Sequence, residues 1–217
     1  MSYIWTLICG FTIIIPALAG IIRLSKIHST FYPFIVLLWV ELLNEVASYF
    51  TAKYYRNTAM NSDVYSLLEV SLILWQFYRW QLYGNRRIVF IFLPILLLSA
   101  WIADTCLWGS IFLFNSYFKI LAFITIVILS ISMVSKILGT ERKALSKNPI
   151  FIICLCFIIF YSYSGVIEVF WKYGLRLGAE WEIPIYSSLN YINVLVYIFY
   201  TYAILCMRKK LRFTMLS

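Results

Sequence analysis

Glu41, Asn44, Glu45 and Ser48 recur at i, i+3, i+4 and i+7 inside the otherwise apolar run WVELLNEVASYF, residues 39–50. That spacing places all four on one face of a helix. Similar stripes follow along the chain. Tyr65 and Glu69 stand one turn apart, Tyr161, Ser164 and Glu168 share a face, and so do Ser187, Asn190, Asn193 and Tyr197. Asp104 and Lys119 stand singly in apolar surroundings. A charge at the centre of a bilayer costs about 2.5–3.5 kcal/mol on insertion scales, so such groups face a bundle interior or a water-filled cavity. Carboxylates mixed with amides suit a hard cation, a proton relay or an amine. Crowded acids repel one another, so a group of them would share protons rather than all ionise. The candidate ligand-binding residues are therefore Glu41, Asn44, Glu45, Glu69, Asp104, Glu168, Asn190 and Asn193. The competing use of the same residues is plain helix–helix hydrogen bonding. Glu45, Asp104 and Glu168 also lie near enough to a span end to be solvated.

Other chemistries lack their residues. The single histidine, His28, cannot build a multi-histidine metal site, which disfavours zinc-dependent intramembrane hydrolases of the ceramidase type. No GxSxG or Walker motif occurs. Cys154 and Cys156 fall on nearly opposite helix faces, and the five cysteines read as small buried hydrophobes. No cofactor is implied, and the identity of any bound metal is left open. A carboxylate dyad built from Glu41 or Glu69 is the one enzymatic alternative, and nothing else in the chain selects it.

These stripes need helices to carry them. Of the 217 residues, 63% are hydrophobic and 12% charged, and the mean hydropathy is +0.87; a soluble domain carries about 25% charged residues. The class is an all-α integral membrane protein with one polytopic domain over 1–217 and no cleavable signal. A spanning helix takes about 20 mostly apolar residues. Seven segments qualify, at 3–22, 32–52, 64–83, 87–108, 116–137, 149–171 and 184–206. Arg23, Lys26, Arg79, Arg86, Arg87, Lys136, Arg142, Lys143, Lys147 and the tail 208–212 fall on one side. By the positive-inside rule that side is cytoplasmic, so the N-terminus is outside and the C-terminus inside, as for a bacterial inner-membrane protein. Topology accounts for the net charge of +9, and nucleic acid is not an expected partner. Trp5, Trp101, Trp108, Trp171 and Trp181 fall at the outer interface, where amphipathic rings anchor a bundle.

An internal echo runs through this layout. Glu45-Val46 closes span 2 and Tyr65-Ser66-Leu67-Leu68-Glu69 opens span 3; Glu168-Val169 closes span 6 and Tyr186-Ser187-Ser188-Leu189-Asn190 opens span 7. Spans 1–3 and 5–7 then read as parallel three-helix repeats joined by span 4. The layout resembles the three-plus-one-plus-three arrangement of SWEET sugar transporters, and in pass number and orientation the opsins. The resemblance is one of topology. The Pro-Gln pair of the PQ-loop relatives is absent, and span 7 has no lysine for a retinal Schiff base.

With this orientation the polar stripes of spans 2, 3, 6 and 7 converge in the outer half, over a sealed, apolar cytoplasmic half. The expected product is an outward-facing acidic and amide pocket for a cation or small polar solute. It would serve a carrier that rocks its two halves, or a sensor that signals through a cytoplasmic partner at 137–148 and the tail. The remaining alternative is a small effector that alters membrane permeability as a homo-oligomer, as small multi-pass proteins of bacterial antiviral loci do.

Overall fold

The structure, a computed structural model, describes residues 3–84, 87–108, 116–140, 145–172 and 179–207. The basic residues Arg86, Arg142, Lys143 and 208–212 lie outside the described residues, as does the acid Glu141. The side chains of Arg87, Trp108, Trp171, Trp181, Tyr186 and Ser187 lie outside them too.

The fold is all-helical, and no strand occurs among the described residues. The expected first span is two helices, α1 (Tyr3–Phe11) and α2 (Ile14–Ile22). Proline causes the break: Pro16 has no N–H to give the Thr12 carbonyl, and its ring crowds that carbonyl. The chain tightens instead, with Ile15 N–H donating to Thr12 O at 3.1 Å and Ile13 N–H to Gly10 O at 3.3 Å. Then come α3 (Tyr32–Tyr55), α4 (Ala59–Arg79), α5 (Arg87–Ala103), α6 (Ser116–Thr140), α7 (Pro149–Lys172) and α8 (Ala179–Cys206). A π-helical turn, Asp104–Trp108, continues α5.

Five helices are long and apolar enough to cross a membrane: Ser29–Tyr55, Ile88–Cys106, Ser116–Thr140, Pro149–Phe170 and Ser188–Cys206. The first expected span is a shorter apolar stretch, Leu7–Ile22. In α4 the hydropathy is diluted by Asn61, Ser62, Asp63, Glu69 and Gln76. That helix also begins at Ala59 rather than 64, and α8 begins at Ala179 with Pro184 inside it rather than at its start.

Helix neighbours follow chain order round a ring. α2 packs on α3, α3 on α4, α4 on α6, α6 on α7 and α7 on α8; α8 closes against α1 and α2. α5 packs outside this ring on α4 and α6 and exposes Ile91, Phe92, Ile95 and Leu98. The end where α3 and α7 finish and α4, α6 and α8 begin is termed distal, the opposite end proximal.

The two halves of the bundle differ in chemistry. Proximally, Phe34 of α3, Phe77 of α4, Phe157 of α7 and Tyr200 of α8 form one buried cluster, with Phe34 and Tyr200 edge to face at 5.1 Å. Edge-to-face pairing adds about 0.5–1.5 kcal/mol beyond the area buried. Gln76 is a buried polar residue there. Its Oε1 accepts from Phe34 N–H at 2.8 Å and its Nε2 donates to Thr30 O at 2.7 Å. Phe34 lies in the first turn of α3, whose N–H groups have no intrahelical partner, so Gln76 caps α3 from α4. Distally the buried side chains include Asp63, Glu69, Asp104 and Lys119, which hold the candidate site.

Candidate functional site

Two polar clusters sit one above the other in the distal half. The deeper one centres on Glu69 of α4. Its Oε1 accepts from Tyr161 Oη of α7 at 2.7 Å and from Tyr65 Oη, one turn back on α4, at 3.0 Å. Glu41 of α3 accepts from Tyr197 Oη of α8 at 2.7 Å. The two carboxylates are within electrostatic reach of each other. Each is therefore held by a tyrosine from a helix that is not its own immediate neighbour in the chain. Hydrogen bonds to a charged group are worth about 1.5–3 kcal/mol net, so these pairs both satisfy the acids and tie α3 to α8 and α4 to α7. Glu69 is buried. Glu41 and Tyr65 are half-buried.

The outer cluster surrounds Lys119 of α6. Its Nζ pairs with Asp63 Oδ1 of α4 at 3.2 Å and donates to Ser62 Oγ at 2.9 Å, with both ionic side chains 4% exposed. Glu168 of α7 hydrogen-bonds Ser116 and lies within reach of the charges on Lys119, Asp63 and Asp104. Asp104 has a backbone partner: its Oδ2 accepts from Phe118 N–H at 2.9 Å. Phe118 stands in the first turn of α6, so the π-turn after α5 delivers a carboxylate to a helix start that lacks its own cap. Three acids and one lysine make this cluster net acidic if all ionise. Lys119 is also felt electrostatically at Glu69, so the clusters form one field.

The remaining predicted residues are distributed around these centres. Asn44 Oδ1 and Ser48 Oγ both accept from Asn61 Nδ2 at 2.8 Å, which pins α3 to α4. Glu45 lies against α1: a Cβ added to Gly10 would fall 2.6 Å from Glu45 Oε2. Asn190 and Asn193 are half-buried on α8; Asn190 is engaged, and Asn193 Oδ1 is buried without a partner among the described residues. The eight predicted residues thus divide between the inner cluster (Glu41, Glu69), the outer cluster (Asp104, Glu168), two helix contacts (Asn44, Glu45) and the α8 face (Asn190, Asn193).

Sequence reasoning missed Asp63 and Gln76. Asp63 stands one residue before the stretch that hydropathy marks as a span, and its i, i+3, i+6 spacing with Ser66 and Glu69 was the signal for it. Among the described residues no three His, Cys, Asp or Glu side chains are arranged to hold a metal ion.

Comparison with known proteins gives no relative: no family model, no curated protein and no solved structure matches this chain.

Proposed function

We propose that this chain is a seven-span carrier, N-terminus outside, that couples protons to the movement of a cation or small polar solute. The observation that carries this reading is the inner cluster. Glu41 and Glu69 come from different helices, lie within electrostatic reach of each other, and each is held by a tyrosine from the opposite half of the chain. Purely structural glue needs no pair of acids at this depth, where neutral side chains tie helices at less cost.

Seven spans are supported by the packing of Leu7–Ile22 and α4 among the five longer apolar helices. A twofold relation of the halves, α1–α4 and α6–α8, is supported by three exchanges. Glu41–Tyr197 joins span 2 to span 7, and Tyr161–Glu69 joins span 6 to span 3. Span 1 packs on span 7 as span 5 packs on span 3, and α5, the joining helix, lies outside the ring. Rocking of such halves would break and remake the acid–tyrosine pairs, so occupancy of the acids and the position of the halves would be linked.

The test is flux in proteoliposomes that contain a trapped pH dye under an inside-negative potassium diffusion potential. Acidification should depend on the protein and respond to sodium or methylammonium outside. Glu69→Gln, folded by size exclusion, should abolish it; unchanged acidification in that variant refutes the carrier.

A further inference from the structure

Two helices run a polar ladder between the clusters. On α4 the buried residues Asp63, Ser66 and Glu69 are spaced by three, and on the antiparallel α7 the series Glu168, Ser164, Tyr161 runs opposite them. At 1.5 Å per residue, the α4 series spans about 9 Å and the α7 series about 10 Å, so the two series are of like length. The inner rung is the Tyr161–Glu69 hydrogen bond, and the outer rung is Lys119, which pairs with Asp63 and faces Glu168.

The middle rung is different. Ser66 Oγ donates to Ser62 O in its own helix at 2.8 Å. Ser164 is 8% exposed, and its Oγ has no hydrogen-bond partner among the described residues. One turn away, Glu168 Oε2 is in the same condition. Buried polar atoms are satisfied by protein or by ordered water, and a hydroxyl left bare costs about 1–3 kcal/mol. Ser164 shares its helix face with Tyr161 and Glu168, which stand at the two clusters, so it lies between them along α7.

We infer that this face of α7 lines a hydrated proton route from the Lys119 cluster at the distal end to Glu69. The inference rests on the proposed carrier and supplies its proton inlet. A proton taken from water by Glu168 passes through bridging water to the Ser164 hydroxyl. That hydroxyl releases its own proton as it accepts one, and Glu69 receives the proton carried on; no bond to carbon changes and no electron moves. The groups that set the field at the inlet are Asp63 on α4, Asp104 after α5 and Lys119 on α6. At Glu69 they are Glu41 on α3, Tyr65 on α4, Tyr161 on α7 and Lys119. Lys119 puts a positive charge within reach of Asp63, Glu168 and Glu69, which favours protons over a bound metal cation.

Water along α7 can be read separately from flux. In a background without the five native cysteines, Ser164→Cys should react with a charged, membrane-impermeant methanethiosulfonate added on the N-terminal side. Val166→Cys, two residues on and exposed on the lateral face, should stay unmodified. Protection of both positions overturns the route. A second measurement uses the unaltered chain: hydroxyl radicals made from bound water by X-ray pulses should oxidise Tyr161 well above Tyr200, although both are buried. Equal, low oxidation of the two overturns the route even if the serine variant does not fold. Labelled Ser164→Cys alongside Glu69-independent flux would refute the carrier and keep the water path. Protected Ser164→Cys alongside Glu69-dependent flux would do the reverse.

Discussion

The acids differ in what each would cost to remove. Lys119 and Asp63 are both buried and bonded to each other, so deletion of one removes an ionic partner of the other. Breaking a buried ion pair from one side costs about 3–5 kcal/mol, while replacing both partners by apolar groups is often neutral. Lys119→Met should therefore lower the thermal midpoint in detergent sharply, and Lys119→Met with Asp63→Leu should recover most of the loss. A double variant no more stable than the single would show that Asp63 is not held by Lys119. Glu69 should behave otherwise. Glutamine keeps an acceptor for the Tyr161 and Tyr65 hydroxyls, so Glu69→Gln should unfold close to the natural midpoint while its flux is lost. Tyr161→Phe removes one hydrogen bond to the acid and should cost about 1–2 kcal/mol, read by the same melting assay.

Helix contacts respond to how stiff the opposing atoms are. A methyl on Gly10 would meet the Glu45 carboxylate, the far end of a flexible side chain that can turn away. On Gly20 it would meet Ile35 Cδ1 at 3.0 Å and Cγ2 at 3.2 Å, and Ile35 is buried and branched at Cβ. Overpacking of that kind costs about 1–3 kcal/mol, so Gly20→Ala should destabilise more than Gly10→Ala in thermal unfolding. Glu45→Ala should erase the smaller loss and leave the larger one unchanged. The helices themselves were legible as apolar runs, because length and hydropathy depend only on local sequence. Their breaks and starts were legible only in part. Pro16 divides the first span because its effect falls on Thr12, four residues back, where an apolar run gives no sign. Asp63 and Asn61 were read as loop because hydropathy drops there. In the fold those residues begin α4, since partners on α3 and α6 compensate them. Gln76 is similar: its value lies in the unpaired amide of Phe34, 42 residues away, which no local window contains.

At the scale of the whole molecule, the stripes on α3, α4, α7 and α8 say which faces turn inward, and helix packing decides which stripes meet. Glu41 and Glu69 could have paired with any tyrosine at their depth. The ring order, closed by α8 on α1 and α2, selects Tyr197 for one and Tyr161 for the other. The proposed orientation draws on charge at the two ends. The proximal end holds Lys26, Arg79, Lys136 and Lys147, and Lys136 Nζ is seated on the Gln81 and Leu82 carbonyls at 2.7 and 3.2 Å, just beyond α4. A cation near the C-terminal end of a helix complements its dipole. The distal end holds the ionic clusters and the turn at Arg56–Thr58 between α3 and α4. Positive charge stays on the cytoplasmic side of a membrane, so the proposed carrier has its proximal end inside. In a bacterial host, green fluorescent protein fused after Met207 should fluoresce, and alkaline phosphatase at the same point should be inactive. Phosphatase fused after Asn57 should be active. The opposite pattern would put the acid clusters on the cytoplasmic side, and a proton entering at Glu168 would then come from within the cell.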